Sequence, residues 1–163
     1  MKPAVVRVQA ALAALGLERR VIELPVEART SQQAADGLGV GVAQIAKSLV
    51  FTVDGAPVMV VASGVNRVDE RKLGKLAGGK VRRAEAETVK QATGYTIGGV
   101  SPVGHETPLP IWVDEDLLRH ELIYAAAGVP ECVFPLTPDE LLKATGGTVA
   151  DVKEQKSPKG EPA

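Results

Sequence analysis

Apolar residues recur along the chain with two different periods, and the switches between them outline the elements. Val5, Val8, Leu12 and Leu15 stand at helical spacing behind Pro3, and Gly16 follows, so a helix is predicted over residues 3–15. Val21-Ile22-Glu23-Leu24 reads as a short strand closed by Pro25. Thr30-Ser31-Gln32-Gln33 has the capping-box spacing, with Gln33 three residues after Thr30, and predicts a short helix ending near Gly37 or Gly39. Two β-branched apolar runs, 45–53 and 57–62, are joined by Asp54-Gly55, a dipeptide that favours a tight hairpin turn. Asp69 is placed to cap a helix carrying Leu73 and Leu76 that ends at Gly78-Gly79. A further helix is predicted over residues 84–93, stopped by Gly94.

Periodicity then fails. Residues 94–110 carry Gly94, Gly98, Gly99, Gly104, Pro102, Pro108 and Pro110, an irregular stretch of the kind that carries function inside compact domains. Strand patterns resume at 111–113, 121–126 and 132–136. Thr137-Pro138-Asp139-Glu140 is a second capping box, opening a helix that Gly146-Gly147 closes. Interspersed strands and helices with an internal hairpin predict a mixed α/β fold in one domain over residues 1–152. From Lys153 to Ala163 the composition turns to Lys, Glu, Gln, Ser, Pro and Gly, and a disordered tail is expected.

Composition narrows the class. At 163 residues, 45% hydrophobic and 24% charged, the chain suits one globular domain that buries about two thirds of its unfolded surface. It has no apolar run of the roughly 18 residues that a membrane helix needs. The N-terminal Met1-Lys2-Pro3-Ala4-Val5-Val6-Arg7 lacks a signal-peptide pattern, and the single cysteine, Cys132, suits a reducing cytoplasm. Net charge is −1, but its distribution is uneven. Residues 67–90 hold eight basic residues against four acids, whereas 106–131 hold six acids and one arginine. The basic stretch reads either as a solvated helix face or as a phosphate-facing surface.

Conventional catalysts are scarce. The chain has two histidines, His105 and His120, and no GxSxG or HExxH motif, and the glycines before Lys47-Ser48 are misplaced for a phosphate loop. Cys132 sits in an apolar strand-like run and reads as a buried structural thiol. Asp114-Glu115-Asp116 reads as a helix start, and neither metal nor cofactor is expected. Two features stand out. Lys47 opens a strand otherwise built for burial, so it either snorkels to an edge or faces a polar cavity where a cation could polarise an oxygen. Gly98-Gly99-Val100-Ser101-Pro102 is either a tight turn or a loop whose backbone can approach a ligand.

Taken in order, Ala46-Lys47-Ser48-Leu49-Val50, Thr93-Gly94-Tyr95-Thr96-Ile97-Gly98-Gly99-Val100-Ser101-Pro102-Val103-Gly104, Leu109-Pro110-Ile111-Trp112-Val113-Asp114 and the closing Leu-Thr-Pro-Asp-Glu-Leu segment resemble the YbaK / prolyl-tRNA synthetase editing-domain family. The resemblance spans roughly residues 3–150. It implies a central mixed, barrel-like sheet flanked by helices, and hydrolysis in trans of the ester joining a wrong amino acid to tRNA, most often tRNA(Pro). It puts the catalytic lysine at Lys47 and the substrate-cradling loop at Gly98, Gly99, Val100, Ser101 and Pro102; Ser48, next to the lysine, is a further candidate substrate contact, and His105, just after the loop, either lines the pocket or hydrogen-bonds the turn. Arg67, Arg71, Lys72, Arg82 and Arg83 become candidate tRNA contacts. Aminoacyl-tRNA is then the substrate, prolyl-tRNA synthetase a candidate protein partner, and neither membrane nor DNA is expected. Ser48 stands where cysteine-editing members often carry threonine, and Tyr124-Ala125-Ala126-Ala127-Gly128 where they tend to carry a glycine pair and a basic residue, which leaves the removed amino acid open. A non-catalytic module binding tRNA or a synthetase, and a hydrolase of small acyl esters, are the rival readings.

Overall fold

A computed structural model describes residues 2–25 and 30–155. Helix α1 (Pro3–Ala14) starts with proline in its first turn and buries Val5, Val8 and Leu12. Strand β1 (Ile22–Glu23) leads toward α2 (Ser31–Leu38), where the predicted capping box is formed. Gln33 N–H donates to Thr30 Oγ1 at 3.1 Å, and Thr30 N–H donates to Gln33 Oε1 at 3.2 Å. The hairpin β2 (Ile45–Val53) and β3 (Ala56–Ser63) turns at Asp54 and Gly55, with φ of 50° and 86°. Two successive positive φ values fit a turn whose twist matches the strands. Asp69 caps α3 (Glu70–Ala77) by accepting from the Arg71 and Lys72 amides. Then follow β4 (Val81–Arg83), α4 (Ala86–Thr93), β5 (Ile111–Asp114), a 3₁₀ turn over Glu115–Arg119, β6 (Ile123–Ala126), β7 (Cys132–Leu136), α5 (Pro138–Thr145) and β8 (Thr148–Ala150).

The strands form one mixed sheet in the order β1-β7-β6-β2-β3-β5-β8, with β4 added on β2. β2 runs antiparallel to β3 and β4 and parallel to β6, while β5 lies parallel to both β3 and β8. The largest core, including Val8, Leu12, Ala46, Val50, Val89, Phe134 and Leu141, packs α1, α4 and α5 on one face. Phe51, Val58, Val60, Ala62 and Leu73 join α3 to the opposite face, and Ala34, Ala35 and Ile45 join α2 to it. Cys132 is buried as expected, and burial pushes its thiol pKa up.

Two features depart from the pattern reading. β4 and β8 are each three residues long, largely exposed and without alternation, so only their docking on β2 and β5 makes them strands. Order also continues past residue 152. Val152 is fully buried, Lys153 bridges Val68 and the Glu154 amide donates to Arg67 O at 2.8 Å. One buried valine thus anchors a segment whose composition suggests a tail, and the expected boundary at 153 falls too early; residues 156–163 lie outside the described residues. The Asp114-Glu115-Asp116 trio, expected as a helix start, opens the short 3₁₀ segment Glu115–Arg119 with Asp114 as its cap. Asp114 Oδ1 accepts the Asp116 amide at 2.9 Å, and its Oδ2 accepts the Ser63 amide at 3.0 Å and Asn66 Nδ2 at 2.8 Å.

Candidate active site

β2 is the central strand, and its two edges differ. Toward β3 it is paired without interruption from Ala46↔Ser63 to Val53↔Ala56. On the other edge it pairs with β6 at Ile45 and Ala46, and with β4 from Phe51 to Val53. The Ala84 amide adds a bond to Val50 O at 3.3 Å. Lys47, Ser48 and Leu49 therefore lie in a gap between two partner strands, and the gap opens into a cavity of about 320 Å³. Strand alternation sends Lys47, with Ile45 and Phe51, to the α2/α3 face. It sends Ser48, with Ala46 and Val50, to the face of the large core.

Lys47 is half-buried and has no ion-pair or hydrogen-bond partner among the described residues. Burial pulls its pKa below the ordinary lysine value; the charge of Asp114 opposes this, and Arg83 and Arg67 add to it. Asp114 makes no ion pair with the ammonium; its oxygens accept from the Ser63 and Asp116 amides and from Asn66 Nδ2. Ser48 Oγ is buried with no hydrogen-bond partner among the described residues. A strand interruption thus leaves one cation and one hydroxyl with unused bonding capacity at the same cavity, where a ligand oxygen could engage both.

The glycine loop faces this gap. Gly98 has φ of 101°, a conformation that side chains other than glycine rarely adopt, and it lines the cavity with Val100. A Cβ on Gly99 would lie 2.7 Å from Val129 Cα and 2.8 Å from the Gly128 carbonyl carbon. The loop therefore packs backbone-to-backbone on the β6–β7 turn, which fixes its distance from β2. Ser101, Pro102 and His105 stand behind the loop, away from the cavity lining. Ser101 is fully buried; its Oγ accepts the Val103 amide at 3.3 Å, and its carbonyl meets His105 Nε2 at 2.7 Å. Burial holds the His105 pKa below the usual histidine value, and the bond to Ser101 opposes it. Tyr95 donates its hydroxyl to Val103 O at 2.8 Å, and burial pushes its pKa up to about 12. Arg7 of α1 lies 5.6 Å from the Tyr95 ring centroid and pairs with Glu106 at 2.6 Å, tying the helix to the loop.

The basic residues divide. Arg83 lines the cavity and has no partner among the described residues. Arg82, its neighbour in β4, projects to the other face by strand alternation. Arg67 is exposed and 3.5 Å from Glu154. Lys72 is held by Asp151 at 2.9 Å and Lys153 O at 2.7 Å, and Arg71 lies on α3 outside the cavity. Pattern reading did not find Thr30, Ser31, Ile97, Tyr124 and Pro130, all of which line the cavity. Thr30 was visible only as a helix cap, and Tyr124 only as a strand residue in a segment that departs from the family pattern.

With this geometry in place, likeness to known proteins becomes informative. The chain belongs to the aminoacyl-tRNA editing domain family, whose model matches residues 26–144. It is, accordingly, an aminoacyl-tRNA deacylase, a hydrolase of the ester that joins amino acid to tRNA. It is 35% identical over 125 residues to "Uncharacterized protein YwhH" of Bacillus subtilis, covering 76% of this chain and 80% of that one. It is 31% identical over 125 residues to "Putative Cys-tRNA(Pro)/Cys-tRNA(Cys) deacylase EbsC" of Enterococcus faecalis, covering 76% of each. A solved structure described as "a putative trans-editing enzyme for prolyl tRNA synthetase" superposes with a TM-score of 0.91 at 47% identity, covering 95% of this chain and 99% of that one. Among the described residues no helix is long and apolar enough to cross a membrane.

Proposed function

We propose that this deacylase acts in trans on a mischarged small amino acid, of the cysteine, alanine, serine or threonine class, carried by tRNA(Pro). The observation that carries the reading is the unpartnered, half-buried Lys47 in the gap of β2, facing the glycine loop. An aminoacyl ester is already activated, so its hydrolysis needs no strong protein nucleophile. It needs the ester held still, a water directed at its carbonyl, and the developing oxyanion stabilised. Lys47 supplies a cation to the ester or ribose–phosphate oxygens, and the loop backbone at Gly98 and Val100, which lines the cavity, orients the aminoacyl group. On the large-core side the cavity is lined by Ala46, Ser48, Val50, Ala84, Val89 and Val100. Short side chains at the end of the cavity favour a small amino acid, and the unpartnered Ser48 hydroxyl can bond to a polar one. Apolar fit separates small side chains by only about 1–3 kcal/mol per methylene, so this discrimination is modest.

Arg83 continues the cationic surface toward the mouth and suits the tRNA backbone. Prolyl-tRNA synthetase, the source of mischarged tRNA(Pro), is the expected protein partner, and the cytoplasm the expected compartment. The test is deacylation of Cys-, Ala-, Ser-, Thr- and Pro-tRNA(Pro) by the wild type and by Lys47→Ala. One mischarged amino acid should be released with Pro-tRNA(Pro) spared. Lys47→Ala should lose about 10²–10³-fold in rate at unchanged Tm, the scale for removing an oxyanion-stabilising group. A Lys47→Ala protein that turns over like the wild type removes Lys47 from this role. Binding of tRNA without hydrolysis of any ester would favour the binding-module reading.

A further inference from the structure

The cavity mouth has two unlike sides. On one stand Lys47 and Arg83, cations with no partner among the described residues. On the other stands Ile97, which is 62% exposed and lines the cavity. Its position follows from the turn. The Gly99 amide donates to Thr96 O at 3.0 Å, and Gly98 follows Ile97 with φ of 101°. This is a type II turn with Ile97 at its first central position, which projects outward, and glycine at the second. The β-branched residues of β2, β3 and β7 are largely buried; Ile97 is held at the mouth by a hydrogen-bonded turn. Pro130 lines the same cavity and stands beside the next residue of the turn, with Cγ 3.7 Å from where a Gly98 Cβ would be. A ligand matching this mouth has an anionic group for one side and a flat apolar surface for the other, as a nucleotide does.

We propose that Ile97, backed by Pro130, is the platform on which the 3′-terminal adenine of tRNA lies while the adjoining phosphate faces Arg83 and the ester faces Lys47. This rests on the aminoacyl-tRNA reading given above and extends it from the ester to the base. The platform is aliphatic, so it contributes area and no hydrogen-bond code. It fixes where the ribose lies, and hence where the ester meets the gap in β2.

The experiment compares wild type, Ile97→Ser and Ile97→Met on two substrates bearing whichever amino acid the wild type releases. One is the mischarged tRNA with its normal terminal adenosine, and the other is the same tRNA ending in an abasic ribose that carries the ester. On the normal tRNA, Ile97→Ser should raise KM about tenfold with kcat within about twofold, and Ile97→Met should restore KM. On the abasic tRNA the wild type should already show the raised KM, and Ile97→Ser should add nothing. Equal losses by Ile97→Ser on both substrates, or an unchanged KM on the normal one, would overturn the platform while leaving the deacylase reading intact. A wild type that releases no amino acid from any aminoacyl-tRNA tried would overturn the deacylase reading, and the platform with it. Ile97 is exposed, so an unchanged Tm for Ile97→Ser separates these outcomes from misfolding.

Discussion

The two edges of β2 are made of the same residues and behave differently. Along β3 every position has a partner, and Val58 to Ser63 are buried. The side facing β6 and β4 is interrupted for three residues, and there a lysine ammonium and a serine hydroxyl have no partners among the described residues. The sealed edge holds the sheet together, and the open edge carries the polar groups of the proposed site. On that proposal the site needs no special catalytic motif. It needs a strand rigid on one side and unpartnered on the other, so that polar groups are fixed in place without being satisfied.

The sharpest way to break the contrast is at two glycines. At the open edge, Gly99→Ala would put a methyl 2.7 Å from Val129 Cα, against backbone that cannot swing aside as a side-chain tip can. The glycine loop must then move relative to β2, and kcat/KM should fall about 10²-fold, the cost of misplacing a group by about 1 Å. At the turn of the sealed hairpin, Gly55→Ala meets no atom within 4 Å but keeps a φ of 86°. That change should cost about 1–2 kcal/mol of stability through left-handed backbone strain and leave kcat/KM unchanged. Steady-state kinetics and thermal unfolding on both variants check the pair. A Gly55→Ala protein that lost activity as Gly99→Ala does would erase the distinction between the edges.

A smaller effect tests the charge of the open edge. Arg83→Glu should raise KM about tenfold and flatten the dependence of kcat/KM on salt, because a phosphate contact brings counterion release. Arg82→Glu, on the opposite face of the same strand, should change both much less, and equal effects would mean that the cavity does not choose between them. Lys47 sets a pH limit on the proposed mechanism. In its proposed role it acts as the ammonium, and its pKa lies below the lysine norm, so activity should decline on the alkaline side as pH rises through that lowered value. Arg83 lowers it further, so Arg83→Gln should shift the alkaline limb to higher pH. A limb that stayed in place would mean that another group limits the rate at high pH.

Much of the frame was legible because it rests on local rules. Thr30 and Thr137 cap helices with the residues that their spacing announces, and Asp54-Gly55 turns the hairpin. The lysine at the start of a strand built for burial was visible as a conflict between residue type and setting, and such conflicts mark functional positions. What was not legible depends on contacts distant in sequence. β4 exists because β2 offers it an edge, and that pairing alone separates Arg83 from Arg82 in orientation. Ser101 belongs to the glycine loop and His105 follows it closely in sequence, yet both lie off the cavity lining, bonded to each other beside the buried Tyr95 that holds Val103 O. No spacing rule distinguishes the lining of a loop from its support. Tyr124 joins the cavity through a parallel pairing with Ile45, nearly eighty residues away.

The smallest expected effect is a gain. An unpartnered ammonium held half-buried costs the folded state free energy, so Lys47→Met should raise stability while abolishing deacylation. The sign follows from the direction of the pKa. Lys47 titrates lower in the folded protein than its ordinary value of 10.5. Below the folded pKa it is charged both folded and unfolded, and the full penalty is present. As pH rises through the folded value and then past 10.5, the folded and later the unfolded chain lose the proton, and the penalty fades. Lys47→Met should therefore be more stable than the wild type by about 0.5–1 kcal/mol at neutral pH, with the advantage shrinking as pH rises through the lowered folded value toward 10.5. Paired thermal or denaturant unfolding at the two pH values measures it. A Lys47→Met protein less stable than the wild type at neutral pH would mean that the ammonium is satisfied in the folded state, and the open edge of β2 would then hold a structural lysine.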